Sequence, residues 1–271
     1  MPLTWPSARH IYLSPHLDDA VLSCGGLIAR QAQRGEPVAV VTVFAASPPA
    51  SRPLSPFAHA LHARWRASAP ASSDFSDPSA ARRAEDLRAL AALGPSVQAV
   101  HHTLLDCIYR LHPATGQPLY AGEQALFGGI HPDDPACTDL RAAPPLPTGV
   151  VLYVPLGVGS HVDHRIVREA VAGWDLPHDS LRYYEDYPYA AQPEALEMAL
   201  AEIGAVQPLV VSLPEGALEA KIRAAACYES QISTFWPGLA AMAEALRADA
   251  ARVGGERLWL PALRSARTAP H

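Results

Sequence analysis

The chain has 271 residues, of which 49% are hydrophobic and 18% are charged, as is typical of a soluble globular protein with a full core. Its formal net charge is −6 at pH 7. Together with the lack of a basic run in the sequence, this charge argues against a nucleic-acid binder, which needs a positive surface for the phosphate backbone.

Other bulk features predict where the protein works. The longest apolar runs have the length of strands and are too short for a membrane span. The first residues lack the charged and apolar regions of a signal peptide. The four cysteines are scattered without CxxC spacing, which fits a reducing compartment. We therefore expect a cytoplasmic protein.

Taken in chain order, the sequence predicts strands that alternate with helices. A strand at HIYLS leads into a helix from Ala20 to about Gln33, and VAVVTVFAA forms the next buried strand. Asp77 and Pro78 mark the start of a helix that ends at Gly94. Its predicted apolar side consists of Ala84, Leu87, Leu90 and Ala91.

Three later stretches read as strands, namely SVQAVHHTLL, GVVLYVPLG and the shorter LRYYEDYP. The alternation predicts an α/β fold with a doubly wound parallel sheet. Two long segments interrupt it, at about 46–77 and 106–148. Both are rich in proline, and we expect them to be lid-like loops that form the walls of a site. We find no domain boundary and predict a single domain over residues 1–271.

The stretch PHLDD follows the first strand and suggests a metal site. His16 and Asp19 can bind one metal ion if the chain turns sharply there, and Asp18 then faces a metal-bound water. The glycine pair Gly25 and Gly26 would let the first helix approach the sheet closely. In the alternative interpretation Asp19 caps the helix, Asp18 is solvated and His16 is an incidental loop histidine.

The stretch GSHVDH repeats this arrangement after a later strand. Ser160 is expected to cap the helix, which places His161 and His164 on one face of its first turn. Both clusters follow strands at the carboxyl edge of the predicted sheet, where ligands bind in such folds. Two histidines and a carboxylate form a known catalytic zinc arrangement. A third stretch, IHPDDPAC from His131 to Cys137, has a similar order but no preceding strand, and we interpret it as a loop outside the site.

These motifs resemble those of the PIG-L/LmbE-like zinc-dependent N-deacetylases. PHLDD and HVDH are similar to the family's P-H-x-D-D and H-x-D-H stretches, RRAEDLRALAALG resembles its R-x-x-E helix, and KIRAAACYESQIS resembles its K…Y-x-S-Q segment. The resemblance implies a Rossmann-like three-layer sandwich with a mostly parallel sheet. It also implies one Zn²⁺ per chain, or another divalent metal such as Fe²⁺.

The resemblance also implies roles for individual residues. The zinc ligands would be His16, Asp19 and His164, and Asp18 would be the general base. His161 would face the reacting carbonyl. Asp163 would orient His161, and Arg82 and Asp106 would contact substrate.

The chain departs from the family at several positions. Ala20 and Ser23 stand where many relatives have glutamate and glycine. Gly159 stands where some sugar deacetylases of the family have a tyrosine, so a tyrosine role would fall to Tyr187 or Tyr189, which otherwise pack the rim of the cleft. These differences leave the metal chemistry unchanged but leave the substrate open.

The sequence therefore predicts a zinc-dependent hydrolase that removes the N-acetyl group from an N-acetylglucosamine-containing conjugate. The amine would leave with a proton from Asp18 or His161. The alternatives are a metal-dependent amidase or esterase acting on another acyl group, and a non-catalytic sugar-binding protein of the same fold. The expected partner is a small-molecule or glycoconjugate substrate. The oligomeric state stays open, a homo-oligomer included.

Overall fold

The structure is a computed structural model that describes residues 3–262. Within this range seven strands form one sheet. The strands are β1 (His10–Ser14), β2 (Val38–Thr42), β3 (Gln98–His101), β4 (Val151–Pro155), β5 (Leu181–Tyr184), β6 (Val206–Val211) and β7 (Glu256–Pro261). The α-helices are α1 (Asp19–Gln33), α2 (Pro56–Ser68), α3 (Pro78–Leu93), α4 (Glu123–Leu126), α5 (Pro135–Asp139), α6 (Val162–Ala172), α7 (Pro193–Ile203), α8 (Glu215–Ala225), α9 (Glu229–Phe235) and α10 (Leu239–Val253).

The sheet has the strand order β3-β2-β1-β4-β5-β7-β6. Strands β1 to β5 pair in parallel, whereas β7 is antiparallel to both β5 and β6. The prediction of a mostly parallel sheet is confirmed. The antiparallel edge formed by β6 and β7 was not predicted, although both strands follow helices in the chain.

Side chains of the central strands alternate between two cores. Ile11 and Leu13 of β1 pack with residues of α6 and α7 on one face. Tyr12, between them, packs with α1, α3 and α8 on the other face. This alternation follows from the period of two along a strand. The result is the predicted three-layer sandwich.

The glycine pair of α1 serves a close helix contact. A Cβ on Gly25 would lie 2.9 Å from Cγ of Lys221, and one on Gly26 would lie 2.4 Å from Cδ1 of Leu213. The close approach is thus made to α8, to Leu213 before it and, through Glu256 of β7, to the sheet as the sequence predicted. Any larger residue at either position would push α1 away.

The predicted apolar side of α3 was wrong. Leu87 is 53% exposed, and Ala84 and Ala91 are exposed as well. The buried face instead carries Arg82, Glu85, Asp86, Ala89, Leu90 and Leu93. The charged residues on this face are tied to other elements, so apolar periodicity alone gave the wrong orientation for the helix.

The two long insertions are more ordered than expected. Residues 46–77 contain the 13-residue helix α2, and residues 106–148 contain the short helices α4 and α5. Trp65 of α2 is buried together with residues of the second insertion. The insertions therefore pack on each other as a wall beside the sheet. Among the described residues, no helix is both long and apolar enough to cross a bilayer.

Candidate metal and active site

Three connections meet at the carboxyl edge of the sheet. Strands β1, β4 and β5 are neighbours and run in the same direction. The turn after β1 carries His16, the loop after β4 carries His161, and the turn after β5 carries Asp186. The parallel sheet thus brings together residues that are far apart in the chain, as expected for this class of fold.

The turn after β1 is closed by Ser14 and Asp19 and leaves the Asp18 carboxylate free for other contacts. Ser14 accepts a hydrogen bond from the Ala20 N–H at 3.0 Å and donates one to the His16 carbonyl at 2.6 Å. Asp18 is the N-cap residue of α1, but its side chain makes no capping hydrogen bond. Asp18 is also only 6% exposed. The interpretation in which Asp19 caps the helix and Asp18 is solvated was therefore wrong.

The loop after β4 is shaped by left-handed backbone. Gly157, Gly159 and Ser160 all have positive φ angles, which favour glycine at the first two positions. His161, and not Ser160 as expected, is the N-cap residue of α6. Its Nδ1 accepts a hydrogen bond from the Asp163 N–H at 3.3 Å. In the neutral form of His161 the ring proton therefore lies on Nε2.

Three of the predicted ligands converge on one point. Oδ2 of Asp19 lies 3.3 Å from Nδ1 of His16 and 3.2 Å from Nε2 of His164. Ligands of a tetrahedral zinc ion, bound at about 2.1 Å, lie about 3.4 Å from one another. The donor types and these two distances from Asp19 therefore fit Zn²⁺ or a similar divalent ion. His161 is also near, since one nitrogen each from His16, His161 and His164 lies within 4.8 Å of the others.

Each of the two histidines that are predicted to bind metal, His16 and His164, is held by a second carboxylate. Nε2 of His16 is 2.9 Å from Oδ2 of Asp163, and Nδ1 of His164 is 2.7 Å from Oδ1 of Asp186. These contacts place the ring protons on the outer nitrogens and turn Nδ1 of His16 and Nε2 of His164 toward Asp19. Such carboxylate–histidine pairs are the usual support of a metal ligand.

The site favours a positive charge between its ligands. Burial alone would lower the pKa of His16, but the carboxylates of Asp106, Asp163 and Asp19 overcome it and raise the pKa well above its ordinary value. Burial also acts to lower the pKa of His164, but the carboxylates of Asp19 and Asp186 outweigh it and raise the pKa to about 10. A metal ion would supply this charge in place of the protons, which it must displace on binding.

Asp18 lies beside the ligands without being one of them. Its Oδ1 is 3.6 Å from an Nη of Arg82, and its side chain lines the cavity next to His16 and Asp19. Burial, and after it the charge of Asp19, raise the pKa of Asp18 to about 6. A carboxylate with this pKa is suited to accept a proton near neutral pH.

Asp163 has a different role from the one expected. Its carboxylate contacts His16, the Cys107 N–H and Arg110, whereas only its backbone reaches the His161 ring. The pKa of His161 is lowered well below its ordinary value by burial and by the charge of His16, despite the opposing effect of Asp163. Asp163 thus contacts His161 through its backbone N–H, while its carboxylate supports His16.

Arg82 and Asp106 both lie at the cavity, as the sequence predicted. The Arg82 guanidinium stacks over the ring of Trp65 at 4.7 Å and lies 3.9 Å from Oδ2 of Asp106. Both side chains are nearly buried. Because Arg82 also contacts Asp18, it fixes the position of that carboxylate as well as offering a charge to the cavity.

The cavity that holds these groups has a volume of about 340 Å³. Its outer walls come from α2, α4 and α9, together with Phe127, which follows α4. Most of these wall residues are apolar or aromatic, and they include Phe57, Leu61, Trp65, Leu126, Phe127 and Phe235. Both insertions thus contribute residues to the lining of this cavity.

Tyr189 occupies the space above Gly159. A Cβ at Gly159 would lie only 2.7 Å from Cγ of Tyr189, so the tyrosine ring rests directly on the glycine. Tyr189 lines the cavity and makes an edge contact with Phe127. Tyr187 also lines the cavity, but its ring stacks on Trp236 and lies near Lys221. Of the two tyrosines, Tyr189 thus lies beside the loop that carries His161.

Two supporting residues were missed in the sequence. Asp186 follows β5 in the stretch YYEDYPYA, and the rule that ligands gather at strand ends could have found it. Arg110 lies in an irregular segment, where no pattern indicated that it would contact Asp163. Asp134, from the stretch assigned to a loop outside the site, contacts Arg110 at 2.9 Å. That stretch does not line the cavity, but it reaches the site through this ion pair.

The fold and the site together define a Rossmann-like α/β protein with two histidines and an aspartate poised around one point at the carboxyl edge of the sheet. The family model described as GlcNAc-PI de-N-acetylase matches residues 11–174. This match covers more than half of the chain and includes all the candidate ligands. The chain belongs to the PIG-L family.

Curated relatives and solved structures agree with this assignment. A 2'-N-acetylparomamine deacetylase of Streptomyces fradiae is 30% identical over 82% of this chain and 73% of its own length. The zinc-inhibited form of teicoplanin deacetylase superposes with a TM-score of 0.72 at 28% identity, covering 96% of this chain and 100% of the other. A deacetylase of the A40926 pseudoaglycone gives a TM-score of 0.64 at 29% identity, over 94% and 97% of the two chains.

Proposed function

We propose that this protein is a metal-dependent N-deacetylase that removes the acetyl group from an amino sugar within a glycoconjugate. The observation that carries the proposal is the arrangement of His16, Asp19 and His164 around one point, with the uncommitted carboxylate of Asp18 beside them. The relatives named above are deacetylases of acetylated antibiotics that contain sugars, which supports the same reaction class for this chain.

The metal would be held by Nδ1 of His16, Oδ2 of Asp19 and Nε2 of His164. Zinc bound by such a set polarises a carbonyl and makes a water molecule nucleophilic near neutral pH. The donor set fits Zn²⁺ and also suits Fe²⁺, since imidazole binds both. Asp163 and Asp186 keep the two histidines in the tautomers that this binding needs.

The remaining residues supply proton transfer and orientation. Asp18 accepts the proton of the attacking water, and Arg82 holds its carboxylate in place. His161 donates a hydrogen bond from Nε2 to the acetyl oxygen as negative charge develops there, and such a donor is typically worth about 3–4 kcal/mol. The proton held by Asp18 is then available to the departing amine.

Tyr189 and the apolar walls serve substrate binding in this proposal. The Tyr189 ring is fixed by Gly159 and Phe127, and its hydroxyl is available to a sugar substituent. Burial, followed by the charges of Asp19 and Asp18, raises its pKa, so the hydroxyl stays protonated and can donate. The walls suit a substrate in which the amino sugar is attached to an apolar or aromatic group.

The experiment that tests the proposal measures acetate release from a panel of N-acetylglucosamine conjugates by the metal-loaded protein. Asp18→Asn is expected to retain the metal and lose most turnover, because it removes only the proton acceptor. His164→Ala is expected to lose the metal as well. Metal retained at full occupancy in His164→Ala would overturn the ligand assignment.

Matched substrates separate the competing functions. Release from an O-acetyl ester but not from the N-acetyl amide would favour an esterase. Sugar binding without any release would favour a non-catalytic protein. Acetate release that is equal in Asp18→Asn and the unaltered protein would reject Asp18 as the base.

A further inference from the structure

A chain of buried charges runs outward from the candidate ligand His16. Nε2 of His16 contacts Oδ2 of Asp163, whose Oδ1 lies 2.6 Å from an Nη of Arg110. The same nitrogen of Arg110 lies 2.9 Å from Oδ2 of Asp134. None of Asp163, Arg110 and Asp134 is more than 3% exposed. The chain therefore links the metal site to the second insertion without passing through solvent.

The Arg110 guanidinium is held by two hydrogen bonds and two aromatic rings, and its contact with Asp163 is an ion pair. Its Nε donates to Asp134 at 3.0 Å, and an Nη donates to the Leu105 carbonyl at 3.0 Å. The rings of Phe44 and Tyr120 lie 5.0 Å and 5.4 Å from its central carbon. A planar guanidinium bound in this way cannot be replaced by a lysine ammonium without loss of contacts. The position of Asp163 is thereby determined by Arg110.

The outer end of the chain anchors a wall of the cavity. Oδ2 of Asp134 also accepts a hydrogen bond from the Tyr120 hydroxyl at 2.8 Å, and that hydroxyl accepts one from the His131 N–H at 3.1 Å. Residues 120 and 131 bracket α4, which with Phe127 forms part of the apolar lining. One buried ion pair thus holds both ends of the wall segment.

We infer that the Arg110–Asp134 pair is a positioning device that couples metal binding to the substrate wall. On the inner side it holds Asp163, and through it His16, in the orientation that presents Nδ1 to the metal. On the outer side it holds residues 120–131 against the cavity. This inference rests on the proposed function, since it concerns the same site.

The coupling has a thermodynamic consequence. If one pair holds both ends, an occupied metal site favours the ordered wall and so raises the affinity for substrate. A bound substrate then raises the affinity for metal by the same factor. A purely structural ion pair would behave differently. Its loss would lower the free energy of unfolding, because breaking a buried pair leaves an uncompensated charge. The metal affinity of the folded protein would stay unchanged.

The test compares three variants of the full chain, namely Arg110→Met, Arg110→Lys and Asp134→Asn. The metal dissociation constant is measured by competition with a chromophoric chelator, with and without a deacetylated product as the cavity ligand. Arg110→Met is expected to weaken metal binding by about 10-fold or more, as for outer-shell partners of metal ligands. Arg110→Lys should recover part of this loss. Asp134→Asn should raise KM and reduce the effect of product on metal affinity.

Glu256→Gln is the matched control, because it also converts a buried, ion-paired carboxylate into an amide. Glu256 is paired with Lys221 at 2.8 Å and accepts hydrogen bonds from the N–H groups of Gly26 and Leu27, well along α1 from the ligands. This variant should lose stability and keep its metal affinity within about 2-fold, against the 10-fold loss expected for an outer-shell partner.

The outcomes separate the inference from the proposed function. Unchanged metal affinity in folded Arg110→Met, or an unchanged effect of product on metal affinity in folded Asp134→Asn, would overturn the inference, while metal binding and acetate release by the unaltered protein would leave the function standing. If Arg110→Met does not fold, Arg110→Lys and Asp134→Asn decide the question alone. No metal binding by the unaltered protein would reject both.

Discussion

The two carboxylates that support the ligand histidines are held in different ways. Asp163 supports His16 and is itself held mainly by the charge of Arg110, together with one backbone N–H from Cys107. Asp186 supports His164 and accepts hydrogen bonds from two successive backbone N–H groups, those of Gly157 and Val158, at 2.7 Å and 2.8 Å. One support depends on a distant side chain, and the other is built from the main chain of the loop after β4.

The difference shows which parts of the site depend on sequence and which on backbone shape. The support of His16 can be broken by changing one side chain, Arg110, that touches no ligand. The support of His164 depends on the left-handed conformation of Gly157 and on the turn after β5. The same contrast holds for the two turns: Ser14 closes the turn after β1 with its side chain, whereas positive φ angles shape the loop that precedes α6.

The largest expected effect is on stability when the two carboxylates are converted to amides. Asp163→Asn should cost about 3 kcal/mol or more in unfolding free energy, because it leaves the buried cation of Arg110 with one anion instead of two. Asp186→Asn should cost about 1–3 kcal/mol, since it weakens hydrogen bonds and His164, unlike Arg110, can release its proton when it loses one of its two anions. Urea unfolding of both variants with chelator present measures the difference.

A surface ion pair provides the control for this comparison. Arg247 and Glu219 pair on the exposed surface at 3.0 Å, and Glu219→Gln should change stability by less than about 1 kcal/mol. A larger loss of unfolding free energy in Asp186→Asn than in Asp163→Asn would contradict this prediction, because it would show that the backbone contacts stabilise the protein more than the charge does.

The sequence was sufficient to predict the inner part of the site. His16, Asp18 and Asp19 follow a buried strand, and His161 and His164 follow another, so strand ends of a parallel sheet had to bring them together. Strand β6 was missed although α7 separates it from β5, because Pro208 interrupts its short apolar run. Its partner β7 was missed with it, since among the described residues the two strands pair only with each other and with β5. The inner strands and the cavity-edge histidines carry local patterns, and these patterns gave correct predictions.

No local sequence pattern indicated the residues that support the two histidines. Arg110 and Asp134 are 24 residues apart and meet in a region of short helices and irregular chain. Their pairing depends on how the second insertion folds, which local periodicity does not report. The apolar side of α3 was assigned wrongly for a related reason. Glu85 is buried because Ser230 satisfies both of its oxygens, and that partner lies on a distant helix.

A smaller effect is expected from Gly159→Ala, which tests the loop after β4, where main-chain groups hold the support of His164. Gly159 has φ of +84°, and the new Cβ would lie 2.7 Å from Cγ of Tyr189. The backbone strain should cost about 1–3 kcal/mol. The displaced ring should also raise KM for the best substrate of the panel. Chemical unfolding and steady-state kinetics measure the two effects.

Gly216→Ala is the matched control, because nothing lies within 4 Å of its added Cβ and the residue is part of α8. It should be neutral or stabilise the protein by up to about 1 kcal/mol. The double variant Gly159→Ala with Tyr189→Phe tests the coupling of the two residues. An unchanged KM in Gly159→Ala would mean that the tyrosine ring does not depend on the glycine for its position.

The smallest expected effect concerns the side chain that closes the turn after β1. Ser14→Ala removes both the acceptor for the Ala20 N–H and the donor to the His16 carbonyl, and it should cost about 1 kcal/mol in unfolding free energy. Because Asp19 Oδ2 still accepts the His16 N–H at 2.7 Å, the turn should persist and metal should still bind. Ser72→Ala, at an exposed position, controls for the loss of a hydroxyl and should change stability by less than about 0.5 kcal/mol. If Ser14→Ala abolished metal binding while the protein stayed folded, the turn after β1 would depend on one hydroxyl as strongly as the support of His16 is expected to depend on Arg110.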